Sequence, residues 1–96
     1  MTHFYFHTWR GEQRSADETG LDLAHESQAR DLAARDLGEM ARDLLRASPA
    51  DMALRIDIAD AEGALLATLR LDYYLKPGPL RRNNRVAAAS ASPNPC

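Results

Sequence analysis

Apolar side chains alternate with ring-bearing polar ones at the start of the chain, and the alternation predicts a strand over residues 3–9. Period two puts Phe4 and Phe6 on one face and His3, Tyr5, His7 and Trp9 on the other. Enrichment in aromatic and β-branched types supports the same element. Arg10-Gly11-Glu12 reads as a turn, and residues 13–16 as a short returning strand of poor apolar pattern. Asp17-Glu18-Thr19-Gly20 is a second turn signal, with Gly20 suited to positive φ.

The spacing then changes to three and four. Ala29, Leu32, Ala33, Leu37, Met40, Ala41, Leu44 and Leu45 form one apolar stripe, which predicts a helix from about residues 22–24 to 47. Asp22 is the expected N-cap, and Ser48-Pro49 the expected stop, because a residue before proline is pushed out of helical geometry. Gly38 falls opposite the stripe. Strict alternation returns at residues 52–59, with Leu54, Ile56 and Ile58 facing one way and Arg55 and Asp57 the other. Asp60-Ala61-Glu62-Gly63 predicts a tight turn with positive φ at Gly63. A return strand over residues 64–72 puts Leu65, Ala67, Leu69 and Leu71 on one face and Leu66, Thr68 and Arg70 on the other.

These elements predict an α+β fold: β-hairpin, long α-helix, β-hairpin, with one helix packed on an antiparallel sheet. The expected core joins the helix stripe to Phe4, Phe6, Leu54, Ile56, Ile58, Leu65 and Leu69. Beyond Lys76 the patterning stops. Lys76-Pro77-Gly78-Pro79, the run Arg81-Arg82-Asn83-Asn84-Arg85 and an Ala/Ser/Pro-rich end bury little apolar surface, so residues 76–96 read as a disordered tail. The expected organisation is a single domain over residues 1–75 followed by that tail. A core this thin rarely supplies more than about 3–5 kcal/mol. A lone helix covers one sheet face, so the other stays open unless something docks there.

Charge divides the chain in the same place. Residues 1–75 hold eight Arg against fourteen Asp or Glu, a balance of −6, whereas residues 76–96 hold Lys76, Arg81, Arg82 and Arg85 with no acid, a balance of +4. An acidic body disfavours broad contact with nucleic acid or anionic lipid. The one cysteine, Cys96, excludes an internal disulfide and a structural zinc site of cysteines. The chain has no apolar run of membrane-spanning length, and the N-terminus lacks a basic start and an apolar secretory core, so the expected compartment is the cytoplasm.

Phe4-Tyr5-Phe6-His7, the turn Asp17-Glu18-Thr19-Gly20-Leu21, the Ala/Arg/Leu-rich helix and Ile56-Asp57-Ile58-Ala59-Asp60-Ala61-Glu62-Gly63 with its apolar strand follow one another in order. In this order and spacing, over residues 3–72, the chain resembles a family of short bacterial proteins, common in alphaproteobacteria, known only as a domain of unknown function. The resemblance implies a small domain that stands alone, and brings with it no activity, cofactor or site residue. His3, Trp9 and the basic tail lie outside its pattern.

The foremost candidate surface is the polar-aromatic face of the first strand: His3, Tyr5, His7 and Trp9, extended by Leu66 and Thr68 or by a sheet edge. Alternate strand residues lie about 6.6–7 Å apart, so the rings form a row fit to anchor a protein interface or to stack on bases. The plainer alternative is a half-exposed sheet face whose rings cover one another. His3 and His7, about 13 Å apart on a strand, are too distant to share an ion. His25-Glu26 opens like a zinc-protease helix, but Ala29 stands where the second histidine belongs. No nucleophile with its base and no glycine-rich phosphate loop is present, so neither an enzyme nor a cofactor is expected. Arg81, Arg82 and Arg85 are candidate tail contacts to phosphate or to an acidic partner.

The reading that results is a non-enzymatic interaction module that self-associates as a homo-oligomer or binds a protein partner through the open sheet face. No membrane and no small-molecule ligand is expected. The alternative is weak nucleic-acid binding through the basic tail and the aromatic strand.

Overall fold

A computed structural model describes residues 1–47 and 50–79 of the chain. Among the described residues five strands and one helix run in the order β1 (Thr2–Arg10), β2 (Gln13–Ser15), β3 (Leu21–Leu23), α1 (Glu26–Arg46), β4 (Met52–Ala59) and β5 (Leu65–Tyr73). All pairings are antiparallel, and the sheet order is β2-β1-β4-β5, with β3 beside β1 as well. The α+β architecture and the helix on an antiparallel sheet are as the patterning predicts. The expected stop at Ser48-Pro49 and the tail contacts Arg81, Arg82 and Arg85 lie outside the described residues.

β2 and β3 occupy the same edge of β1. Thr8 faces Ser15 in β2 and Phe4 faces Leu21 in β3, so residues 16–20 loop out opposite the three β1 residues 5–7. In effect β1 has one interrupted partner strand on its outer side. β3 is hidden in the sequence, where Leu21 reads as the end of the turn and Asp22 and Leu23 as the opening of the helix. Once they pair with β1 the helix can begin only after them. Its N-cap is His25, in extended geometry at φ −140°, rather than Asp22. The Gln28 side-chain oxygen accepts hydrogen bonds from the backbone N–H groups of Ala24 and His25. That closes the first turn from the helix side, as a capping box does.

The core lies between α1 and the central strands. Phe4, Ala29, Ala33, Ile56 and Ile58 form its buried centre, and Phe6, Leu23, Leu37, Met40, Leu66, Ala67 and Leu69 pack around it. Leu54 is fully enclosed and Leu44 is buried. Small residues at 29 and 33 let the helix backbone sit close on the sheet, as ridge-and-groove packing allows. Gly38 has no neighbour within 4 Å of where a Cβ would stand, in keeping with its place away from the stripe.

The second hairpin corrects the expected phase of the return strand. Ile58 faces Ala67 but Ala59 faces Leu65, so Leu66 is an extra residue, a β-bulge. A bulge changes which side the residues beyond it take. Leu66 therefore turns to the helix side and packs on the core, while Leu65 stands 62 % exposed. Leu66 is not part of the open face, and Leu65 is not part of the core. The turn before it behaves as expected, with Gly63 at φ 87° and the Asp60 carboxylate accepting from the N–H groups of Glu62 and Ala64.

Candidate functional site on the open sheet face

Directly opposed residues of an antiparallel pair point to the same side of the sheet. The register therefore maps the face away from the helix as rows across the strands. One row holds Tyr5, Ala59 and Leu65, the next His7, Asp57 and Thr68, and the next Arg14, Trp9, Arg55 and Arg70. His3 continues the first strand opposite Asp22.

The structure places His3, Tyr5, His7 and Trp9 on this face together, each half-buried. The His3 and Tyr5 rings meet edge to face at 5.0 Å, and Tyr5 stacks parallel to His7 at 6.3 Å. Arg55 lies over the Trp9 ring at 4.6 Å, within cation–π range. The Trp9 indole N–H donates to Asp57 Oδ2 at 3.3 Å, and the Thr68 hydroxyl donates to Asp57 Oδ1 at 3.0 Å. Arg55 donates from a terminal nitrogen to Asp57 Oδ2 at 3.1 Å. Its Nε lies 3.1 Å from Asp57 Oδ1, too oblique for a hydrogen bond, so that buried N–H has no acceptor. Asp57 is thus the polar hub of the face, satisfied from three strands.

Two of the ring-bearing residues also hold the fold. His3 donates from Nδ1 to Asp22 Oδ1 at 2.6 Å and from Nε2 to the Thr19 carbonyl at 2.7 Å. Two donated bonds require both ring protons, so this geometry belongs to the imidazolium. The Asp22 carboxylate first, and the Thr19 carbonyl after it, raise the His3 pKa above its ordinary 6.5. His7 uses its ring as an acceptor. Its Nδ1 accepts the Asp17 backbone N–H at 3.0 Å, which leaves the ring proton on Nε2.

Asp17 completes this edge. Opposite Phe6 the ladder has no strand, because residues 16–20 loop away, and Asp17 Oδ2 takes the orphaned Phe6 N–H at 3.1 Å. Oδ1 takes the N–H groups of Thr19 and Gly20, each at 3.0 Å. Partial burial pushes the Asp17 pKa up, but the bonds from Gly20, Phe6 and Thr19 together outweigh it and hold it below its ordinary value. Gly20 has φ 73°, and a Cβ there would stand 2.5 Å from His3 Nε2 and 2.8 Å from the Phe4 carbonyl oxygen. The turn that the sequence marks as Asp17-Glu18-Thr19-Gly20 is therefore a clip between β2 and β3.

Thr68 stands on this face as expected, whereas Arg14, Arg55, Asp57, Leu65 and Arg70 are not among the expected site residues. Strand alternation does assign Arg55 and Asp57 to this side, but which residues stand beside Trp9 depends on register between strands far apart in sequence. Trp9, Gly11, Ala53, Arg55 and Arg70 line an open depression of about 180 Å3. That is smaller than the few hundred Å3 of ordinary ligand pockets. Neither His7 nor His25 lines it. Among the described residues no three His, Cys, Asp or Glu side chains converge as a metal site would require, and no helix is long and apolar enough to cross a membrane.

No curated protein and no solved structure matches the chain. One family profile does, and it spans residues 3–72, which runs from His3 at the clip to Asp72 in the last strand and takes in every strand pairing described above except those at its ends. The chain belongs to the family described as a domain of unknown function, DUF6894.

Proposed function

We propose that the domain is a non-enzymatic protein-interaction module whose binding surface is the open sheet face. The carrying observation is two contacting pairs on neighbouring rows, Tyr5 stacked with His7 and Arg55 over Trp9, on a face that no described element covers. Tyr, Trp and Arg are the residue types that anchor interfaces. Here the indole and guanidinium are already oriented by Asp57, so little side-chain entropy remains to be lost on binding. The test compares capture of proteins from the native cell by the full chain and by its Trp9→Ala and Tyr5→Ala variants, each first checked for native circular dichroism. A protein retained by the parent and lost by both variants supports this role. An identical set of captured proteins for all three chains would remove the open face from consideration.

One row favours a second reading. Arg14, Arg55 and Arg70 flank Trp9, an arrangement that also suits a single-stranded nucleic acid, and the basic tail residues Arg81, Arg82 and Arg85 would add to it. Against it stand the carboxylates Asp57 and Asp72 on the same face and the −6 balance of residues 1–75. This reading requires binding of a labelled oligonucleotide that weakens steeply with salt and is lost without residues 76–96.

A further inference from the structure

Among the described residues, nothing pairs with the outer side of β5. At nine residues it equals β1 as the longest strand, yet it stands at the sheet edge. Leu65 and Leu71 are exposed on it, and Tyr74 and Leu75 just beyond it. It carries no proline and no lysine, the residues that commonly protect an edge.

The backbone fixes which groups it offers. The Gly11 N–H donates to the Ala53 carbonyl, so Ala53 and the alternate residues of β4 turn their backbone groups toward β1. Leu54 and Ile56 then turn theirs toward β5, and with them their partners Leu71 and Leu69. Past the bulge, the outward donors and acceptors of β5 are those of Thr68, Arg70 and Asp72. The Leu75 N–H, which bonds to Asp51 on the β4 side, follows the same alternation.

Opposed residues in an antiparallel ladder are either both hydrogen-bonded or both not. Two identical strands can therefore pair about a two-fold axis only if the axis falls on a residue. An axis at Arg70 sets Arg70 against its own copy, and one at Asp72 opposes two carboxylates. An axis at Leu69 leaves Asp72 facing the bulged Leu66. An axis at Leu71 sets Arg70 opposite Asp72 of the other copy twice over, Leu71 against Leu71, and Leu69 against Tyr73. The outward backbone groups of Arg70 and Asp72 are then paired with those of the other copy, Thr68 comes opposite Tyr74, and the pairs from Leu69 to Tyr73 are matched in charge or apolarity.

We infer that β5 is a self-recognition edge: two copies of the chain join antiparallel through it, with the two-fold axis at Leu71, into one continuous sheet. This goes beyond the open-face reading and does not depend on it. Both helices lie on the same side of the joined sheet, so the two open faces become one. The Arg70 to Asp72 ion pair within each chain, 2.9 Å long and solvent-exposed, exchanges for one between chains, two for two in the dimer.

The full chain is tested by light scattering on a size column. A mass twice 10.6 kDa is expected. Arg70→Asp, which places like charges opposite each other twice, should return the monomer, and adding Asp72→Arg should restore the dimer. Register is read by cross-linking in a Cys96→Ser background. Leu71→Cys should form a disulfide with its own copy under mild oxidation, because a non-hydrogen-bonded pair holds Cα atoms about 4.5 Å apart. Leu69→Cys and Tyr73→Cys should link only when the two are mixed. Leu71 is 42 % exposed, so its replacement leaves the domain folded. A monomeric mass for the parent chain overturns the inference, as does Leu69→Cys linking to itself as readily as Leu71→Cys. A dimer lost on Trp9→Ala and not linked by Leu71→Cys also overturns it, while leaving the open-face role standing.

Discussion

The two edges of the sheet are built on opposite plans. On the β2/β3 side the strands are three residues each and interrupted, and the gap is closed by side chains: Asp17 takes the Phe6 N–H, and His3 and His7 grip the loop from both ends. On the β5 side a long strand ends the sheet with leucines exposed and its outward backbone groups without a described partner. The contrast teaches that exposed sheet edges are handled here in two currencies, polar side chains at one end and bare backbone at the other. Damage to the first should cost folding, and damage to the second should cost association while sparing the fold.

The largest expected effect is on the clipped edge. Gly20→Ala forces a side chain into positive φ against His3 and the Phe4 carbonyl, and is expected to cost about 3–4 kcal/mol in urea unfolding. In a domain with so thin a core, that leaves little folded protein. Asp17→Ala strands three backbone N–H groups, at Phe6, Thr19 and Gly20, and should cost about 2 kcal/mol by the same measurement. A loss under about 0.5 kcal/mol would mean that water replaces the carboxylate freely and that the clip is not what seals the edge.

The other end of the sheet gives smaller numbers. Leu66→Ala, on the core side of the bulge, should cost about 1–2 kcal/mol, less than a fully enclosed leucine. Leu65→Ala next to it should stay within about 0.5 kcal/mol. Equal costs would show that the bulge is not fixed in solution.

The smallest effect is that of pH on the clip. His3 binds its proton more tightly folded than unfolded, so its contribution is complete below 6.5 and falls away as pH rises through the higher folded-state value. Asp17 has a lowered pKa, so its contribution is present above 3.8 and is lost as pH falls through the lower folded-state value. The clipped edge is therefore firmest between those limits. A stability curve measured from pH 4 to 9 should decline at its alkaline end in the parent chain, and His3→Gln should flatten that decline.

Much of this was legible in the sequence. Alternation gave β1 and β4, the three-and-four stripe gave α1, and glycines at 20 and 63 marked positive φ. What escaped was whatever depends on tertiary pairing. Leu21 to Leu23 have too little pattern to announce a strand, and they become one only because β1 offers them an edge. The bulge at Leu66 is invisible because Leu65-Leu66 reads equally well in either phase, and only the fit of β5 to Ile58 and Ala59 decides it. The same limit applies to the site. His3, Tyr5, His7 and Trp9 could be assigned to one face from period two, but Arg14, Arg55 and Arg70 enter the Trp9 row through registers that a single strand does not encode.

The position of β1 in mid-sheet governs how the protein is made. Its ladder to β4 joins Tyr5 to Ala59 and Arg10 to Leu54, contacts that close only after most of the chain exists. Such long-range pairing is slow to form, because loop closure precedes any gain from contact. The β4/β5 hairpin, by contrast, closes across a short turn. Within the domain β1 precedes the other elements and is the most aromatic strand, yet its ladder to β4 waits for residues 54–59. Among the described residues the strands that pair with β1 and precede β4 are β2 and β3, so the clipped edge is the part of its ladder that can close first.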